Sequence, residues 1–313
     1  MSNPLFQQRC SATLSALRRE LPGRTPALLV TLFGDVVAAH GGEIWLGSLI
    51  RMLAALGIGE RLVRTSVYRL AKDGWLRGTF LGRRRYYQLG KGALSDTARF
   101  EQRIYQPPQR QWNGQWRLVF TGTQGIDAEQ RTALRKRLGW IGFGSIAPNV
   151  FAHPDAPLEP LWELFEQTGV SDQVVVMRAE NYDRIHGLDS LEMARQCFRL
   201  DRLEGDYQRF ITRYAPLAET LAGGSAPGDA DPEQCFALRT LLIHHYRLIL
   251  LKDPDLPAAL LPEQWPGLRA QQLCGTIYRA VGGTAERHIL ALGENRKGPF
   301  EGTSKQYRGR FSG

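Results

Sequence analysis

Two groups of side chains in this sequence could do chemistry. The first is basic. Arg61, Arg64, Arg69 and Lys72 recur with Thr65 and Tyr68 along one short stretch, and Arg83, Arg84 and Arg85 follow consecutively. Guanidinium groups bond bidentately to guanine edges and to phosphate, whereas lysine meets phosphate as a point charge. Adjacent arginines repel one another, and an anionic partner such as backbone phosphate relieves that repulsion. The second group is His244-His245-Tyr246-Arg247. Neighbouring histidines on a helix point about 100° apart, so they do not readily share a metal, which would need i,i+4 spacing. Their expected role is structural or ligand-contacting.

Other chemistry is not indicated. The four cysteines, Cys10, Cys197, Cys235 and Cys274, are scattered without a CxxC pair, so neither a zinc ribbon nor a disulfide framework is expected. Gly139, Gly142 and Gly144 read as strand-turn glycines rather than a phosphate loop, and no Ser/His/Asp order stands out. No catalytic residue, metal or cofactor is expected. The 313 residues are 43% hydrophobic, with neither a secretory leader nor an apolar run long enough to span a bilayer. A cytoplasmic protein of two or three domains is the expectation.

The net charge of +9 is unevenly placed. Residues 1–110 hold 17 Lys and Arg against 7 Asp and Glu, while the other 203 hold 23 against 24. A basic module on a neutral body is what a polyphosphate partner selects for.

The elements that must position these arginines follow from apolar periodicity. After an N-terminal extension over 1–24, Thr25-Pro26 reads as an N-cap with proline at the first helical position. Leu28, Leu29, Leu32, Phe33, Val36 and Val37 recur at helical spacing until His40-Gly41-Gly42. A second helix puts Leu46, Leu49, Ile50 and Leu53 on its buried face and stops at Leu56-Gly57-Ile58-Gly59. The third, about Glu60 to Asp73, buries Val63, Val67 and Leu70 and turns Arg61, Thr65, Tyr68 and Lys72 outward, flanked by Arg64 and Arg69. Trp75–Leu81 and Tyr86–Leu89 read as strands around Gly82-Arg83-Arg84-Arg85, a hairpin with the arginines at or beside its tip. Two helices joined by a tight glycine turn, a basic third helix and a wing together predict a winged helix-turn-helix over 25–100 that binds double-stranded DNA.

A linker is expected near 100–113, around Pro107-Pro108. Trp116–Phe120 reads as a strand, Ala128–Leu138 as a helix, Phe143 and Ile146–Phe151 as strand material, Leu158–Thr168 as a helix and Gln173–Met177 as a strand. The order β-α-β-β-α-β predicts a ferredoxin-like domain over 113–185. A helical domain over 186–292 follows: Ser190–Leu221 as one or two helices, a loop at Gly223–Pro232, a helix over Glu233–Leu251 broken at Asp253-Pro254, and helical patches from Leu268. Residues 293–313 read as a flexible tail, and the whole as an α+β protein.

Several of these stretches carry a family resemblance. Leu32-Phe-Gly-Asp-Val36, Ile44-Trp-Leu-Gly-Ser-Leu-Ile50, Glu60-Arg-Leu-Val-Arg-Thr-Ser-Val67 and Asp73-Gly-Trp-Leu76 resemble the PaaX family, as do His245-Tyr-Arg247 and Asp253-Pro-Asp-Leu-Pro257. Gly59 stands where members often carry Asn, and His244 where they often carry Glu. The resemblance implies a homodimeric repressor of a phenylacetate-degradation operon, released from its operator by phenylacetyl-CoA or a similar aryl-acyl-CoA. Effector contacts are then expected at His245, Tyr246, Arg247, Arg213 and Trp265, with Arg209, Arg239, Tyr207, Phe210 and Tyr214 also in that region. The family's middle domain resembles the small CRISPR-associated nucleases, which place an Asp at the end of the first strand. Here Val119-Phe-Thr-Gly-Thr-Gln124 has no carboxylate and Asp127 reads as a helix cap, so nuclease chemistry is not expected.

Overall fold

In the computed structural model, residues 3–21, 23–106, 111–122, 125–181, 187–221, 230–303, 307 and 309–311 are described, excepting the side chains of Asp96 and Arg99. The expected Pro107-Pro108 linker and residues 222–229 of the expected Gly223–Pro232 loop lie outside them.

The N-terminal extension is a helix rather than an appendage. α1, Pro4–Glu20, starts with Asn3 accepting from the Phe6 amide and buries Phe6, Cys10, Leu14 and Leu17 at helical spacing. α2, Thr25–Leu32, begins where expected, although Arg24 holds the cap position and Thr25 is buried. The helix then loosens into a π turn over Phe33–Val37 and tightens into a 3₁₀ turn over Ala38–His40. A short strand that the apolar pattern did not disclose follows, β1, Glu43–Trp45. α3, Leu46–Ala54, buries Leu49, Met52 and Leu53, with Leu46 and Ile50 only half-buried. α4, Glu60–Lys72, buries Val63, Ser66, Val67 and Leu70.

β2, Leu76–Leu81, and β3, Arg84–Leu89, form a hairpin, and β3 also pairs with β1, giving an antiparallel sheet ordered β1-β3-β2. Leu81 pairs with Arg84, so Gly82-Arg83 is the whole turn. Gly82 has φ +58° and Arg83 has no positive φ, the pattern of a II′ hairpin with glycine first. Arg84 and Arg85 therefore belong to the strand, and only Arg83 sits at the tip. α5, Lys91–Tyr105, follows.

The middle segment has the expected order. β4 (Gln115–Phe120), α6 (Ala128–Trp140), β5 (Gly144–Ala147), β6 (Val150–His153), α7 (Glu159–Thr168) and β7 (Val175–Glu180) build an antiparallel sheet ordered β5-β6-β4-β7. Val119, Phe151, Leu134, Leu138, Leu161 and Phe165 form its core. Phe143 joins that core from the turn before β5 rather than from a strand. Asp127 accepts from the Gln130 amide at 2.8 Å in a complete capping box for α6. α8, Ser190–Phe198, and α9, Leu200–Glu219, are separate helices, broken at Arg199 with φ +52°.

α10, Pro232–Leu250, and α11, Gly267–Leu292, complete the helical part; α11 is one 26-residue helix rather than patches. The tail from 293 departs from expectation. Glu294–Asn295 (β8) and Gly298–Pro299 (β9) pair as a hairpin, and Phe300, Arg310 and Phe311 are buried. Its composition is polar, but buried ion pairs and aromatic contacts hold its described residues, while residues 304–306, 308 and 312–313 lie outside them.

The chain folds into two compact units. Met1–Pro107, Gln208–Leu248 and Gly267–Gly313 form one, and Pro108–Tyr207 with Ile249–Pro266 the other.

Candidate nucleic-acid interface

α4 is amphipathic in the sense required. Its core residues recur at i, i+4 and i+7, and Arg61, Arg64, Thr65, Tyr68, Arg69 and Lys72 are all exposed on the remaining surface. Tyr68 is 68% exposed, an aromatic ring turned largely to solvent. Arg64 is less available than its neighbours, because its Nη2 lies 2.6 Å from Glu60 Oε1 in an i,i+4 pair. Thr65 donates to the Arg61 carbonyl at 2.9 Å, leaving the hydroxyl's lone pairs outward. Arg69 and Lys72 complement the helix dipole in the last turn.

The hairpin treats its three arginines differently. Arg83 is exposed at the turn. Arg85 lies along the sheet, its guanidinium 4.9 Å from the Phe80 ring centroid and 5.1 Å from that of Tyr87. Arg84 stacks 4.5 Å from the Trp45 centroid and is ion-paired with Glu294 of β8. Trp45 folds back over the first turn of α3, where a Cβ on residue 47 would fall 2.5 Å from the indole ring, so the position takes glycine. Arg51 of α3 sits 5.6 Å from the same ring and donates to the Leu292 carbonyl at 3.0 Å. Trp45, Arg51 and Glu294 belong to this surface, and periodicity did not disclose them. The one available signal was Trp45-Leu-Gly47, a large ring two residues before a glycine.

Beneath this surface lies a buried polar cluster. Asp35, in the π turn, accepts from Tyr105 at 2.6 Å and Tyr278 at 2.9 Å, and pairs with Arg239 Nε at 3.1 Å and Arg310 Nη1 at 3.0 Å. Arg310 also reaches Glu101 at 2.9 Å and the Gly34 carbonyl at 3.2 Å. Burial alone would raise the Asp35 pKa, but the two guanidiniums and two phenols hold it below the usual carboxylate range. Glu286 extends the cluster, 3.8 Å from Arg239 and 2.9 Å from His40, whose ring stacks on Phe300 at 4.9 Å. A lone acid within the apolar run from Leu28 to Val37 was the sequence signal for this hub.

The expected effector residues are not one constellation. Arg213 is paired bidentately with Glu20 at 2.8 and 3.1 Å. His245 shares a 2.9 Å hydrogen bond with the Tyr214 hydroxyl, and burial and Arg213 push its pKa down to about 4, so it is neutral. His244 is buried against Thr31 at 3.0 Å, with its pKa pushed by burial to about 3. Tyr246 is buried beside Phe210. Trp265 belongs to the second unit, edge-on to Tyr207 at 5.8 Å. Arg209 is exposed, and Arg239 is taken by Asp35.

Arg247 differs. Burial depresses its pKa with no acid countering it, and its guanidinium lies 5.5 Å from the Phe100 ring centroid. It lines a cleft with Val30, Thr97, Phe100, Ile104 and Ile243, and the acids Asp35, on its floor, and Glu101 line it as well. The cleft measures about 20 Å³, room for roughly one water. Among the described residues no group of His, Cys, Asp and Glu could hold a metal, and no helix is long and apolar enough to cross a membrane.

An exposed basic helix beside a basic hairpin, an antiparallel β-α-β-β-α-β middle and a helical C-terminal part define a multidomain α+β protein. The chain belongs to the PaaX-like family. Residues 24–93 match the PaaX-like protein model, 109–191 the PaaX protein central Cas2-like domain, and 198–291 the PaaX-like protein C-terminal domain. The chain is 37% identical over 293 residues to a protein of Escherichia coli strain K12 named transcriptional repressor PaaX, covering 94% of this chain and 92% of that one. A solved structure of an uncharacterized Mycobacterium tuberculosis protein has the same fold, with TM-score 0.50 and 23% identity over 81% of this chain and 96% of that one.

Proposed function

We propose that this protein is a DNA-binding transcriptional repressor of an aromatic-acid, phenylacetate-type catabolic operon, and not an enzyme. One observation carries the DNA-reading half: α4 buries one face completely and presents Arg61, Thr65, Tyr68, Arg69 and Lys72 on the other. In this reading α2, α3, α4 and the β1-β3-β2 sheet are a winged helix. α4 enters the major groove with Arg61, Thr65 and Tyr68 towards base edges, Arg64 joins them when it leaves Glu60, and Lys72 and Arg83 meet phosphate. The repressor named in Escherichia coli supports the direction of regulation. A homodimer on a two-fold symmetric operator occludes the promoter, the two wings fixing half-site spacing.

Release by an aryl-acyl-CoA is the second half. Of the residues expected to contact it, Arg247 has the chemistry to spare: a largely buried cation over an aromatic ring, with no ion-pair partner among the described residues. The cleft as it stands holds about one water, so an acyl thioester enters only if α5 and α10 part. A ligand that binds the parted state more tightly shifts the population away from the DNA-binding one. The cleft floor is the Asp35 turn, which carries that change into the DNA-reading helices. The test titrates phenylacetyl-CoA, free phenylacetate and free CoA into the protein bound to a duplex it has itself selected from a random pool. The expected result is release by the thioester alone, with Arg247→Ala retaining DNA but resisting release. If phenylacetyl-CoA at saturation leaves the complex intact, the effector is another molecule.

A further inference from the structure

We infer that Glu294, in the C-terminal hairpin, is a specificity-determining residue that withholds wing Arg84 from phosphate on non-operator DNA. The inference rests on the reading that the wing meets DNA. Arg84 is half-exposed and sits on Trp45 as a platform, with the Glu294 carboxylate as its ion-pair partner and only a quarter of that side chain exposed. Glu294 is itself held. Its neighbour Asn295 donates to the His40 carbonyl at 3.4 Å, Arg296 pairs with Glu43 of β1 at 2.7 Å, and the Phe300 amide closes onto the Gly293 carbonyl at 2.9 Å. A carboxylate fixed beside one wing arginine cancels that charge at the distances where duplex DNA is first felt.

The consequence differs between duplexes. Non-specific association depends on net charge and counterion release, so a neutralised Arg84 contributes nothing to it. An exposed ion pair is weak, and a phosphate brought into register by α4 can replace Glu294. Arg84 thus adds a contact only when the recognition helix is seated, which widens the gap between operator and random duplex. The hairpin leaves the end of α11, whose Leu292 carbonyl receives Arg51. Movement of that helix end therefore bears on the wing directly.

The experiment compares wild type, Glu294→Gln, Arg84→Gln and the double variant. Affinity is measured from 50 to 200 mM salt, on a duplex selected by the protein and on an unrelated one. Thermal midpoints check that each variant is folded. Glu294→Gln is expected to tighten the unrelated duplex and to steepen its log–log salt slope by about 0.9, a roughly threefold larger loss of affinity over that salt range. The selected duplex gains less, and in the Arg84→Gln background the Glu294 substitution changes neither duplex. A Glu294→Gln protein with unchanged or weakened affinity for the unrelated duplex overturns the inference, as does an equal gain on both. If Arg84→Gln alone binds both duplexes like wild type, the wing does not meet DNA, and the failure lies with the underlying reading.

Discussion

His244, His245 and His288 all have pKa values pushed down by burial, the first two to about 3 and about 4. Unfolded histidine titrates near 6.5, so between that value and about 4 the unfolded chain binds protons that the folded chain refuses. The sign follows. His244 and His245 contribute stability that is complete above about pH 6.5 and is lost as pH falls through about 4 towards 3, with a slope of up to about 1.4 kcal/mol per pH unit for each, and His288 acts in the same direction. Chemical denaturation is expected to show a lower midpoint at pH 5 than at pH 7, and His245→Gln is expected to reduce the difference. Equal midpoints would mean the histidines charge within the folded protein. Because they are neutral, His244 and His245 are poor anion ligands at neutral pH, which leaves Arg247 as the cation in that motif.

At the scale of elements, the π turn Phe33–Val37 decides what holds α2, α3 and α4 to the rest of their unit. An α-helical register does not need an extra residue per turn; here the widened turn contains Asp35, the acceptor for two tyrosines and two arginines. Removing its charge leaves Arg239 and Arg310 buried without their main counter-ion. Asp35→Asn is expected to cost about 3–5 kcal/mol of stability, read from urea unfolding, whereas Arg64→Ala on the surface changes it little. A near-neutral Asp35→Asn would show the cluster to be incidental. The periodic elements were legible in the sequence: α4's buried Val63, Val67 and Leu70, the β2–β3 hairpin and the four strands and two helices of the middle segment each announce themselves through local spacing. The unread parts depend on partners distant in the chain. Asp35 and Arg310 meet across a separation of 275 positions, and β1 is a strand only because Glu43–Trp45 finds β3. The tail's polar composition suggested disorder, and long-range pairing of Arg310, Glu294 and Arg296 overrides it. For the same reason the hairpin arginines were legible as a set but not in their separate contacts.

On the scale of the whole molecule, the proposed reading assigns general attraction to DNA to the net positive charge concentrated in residues 1–110, and discrimination to the exposed face of α4. These two contributions separate experimentally, because charge acts on every duplex and base contact on one. The most direct test measures wild type, Arg61→Ala and Tyr68→Ala against a duplex selected by the wild type and against an unrelated duplex of equal length. Salt concentration is held fixed throughout. Each substitution is expected to weaken the selected duplex by about 1–3 kcal/mol, roughly tenfold or more, while the unrelated duplex loses much less, above all for the uncharged Tyr68. Equal losses on both duplexes, or no sequence enriched by the wild type at all, would contradict the assignment of α4 as the element that reads DNA.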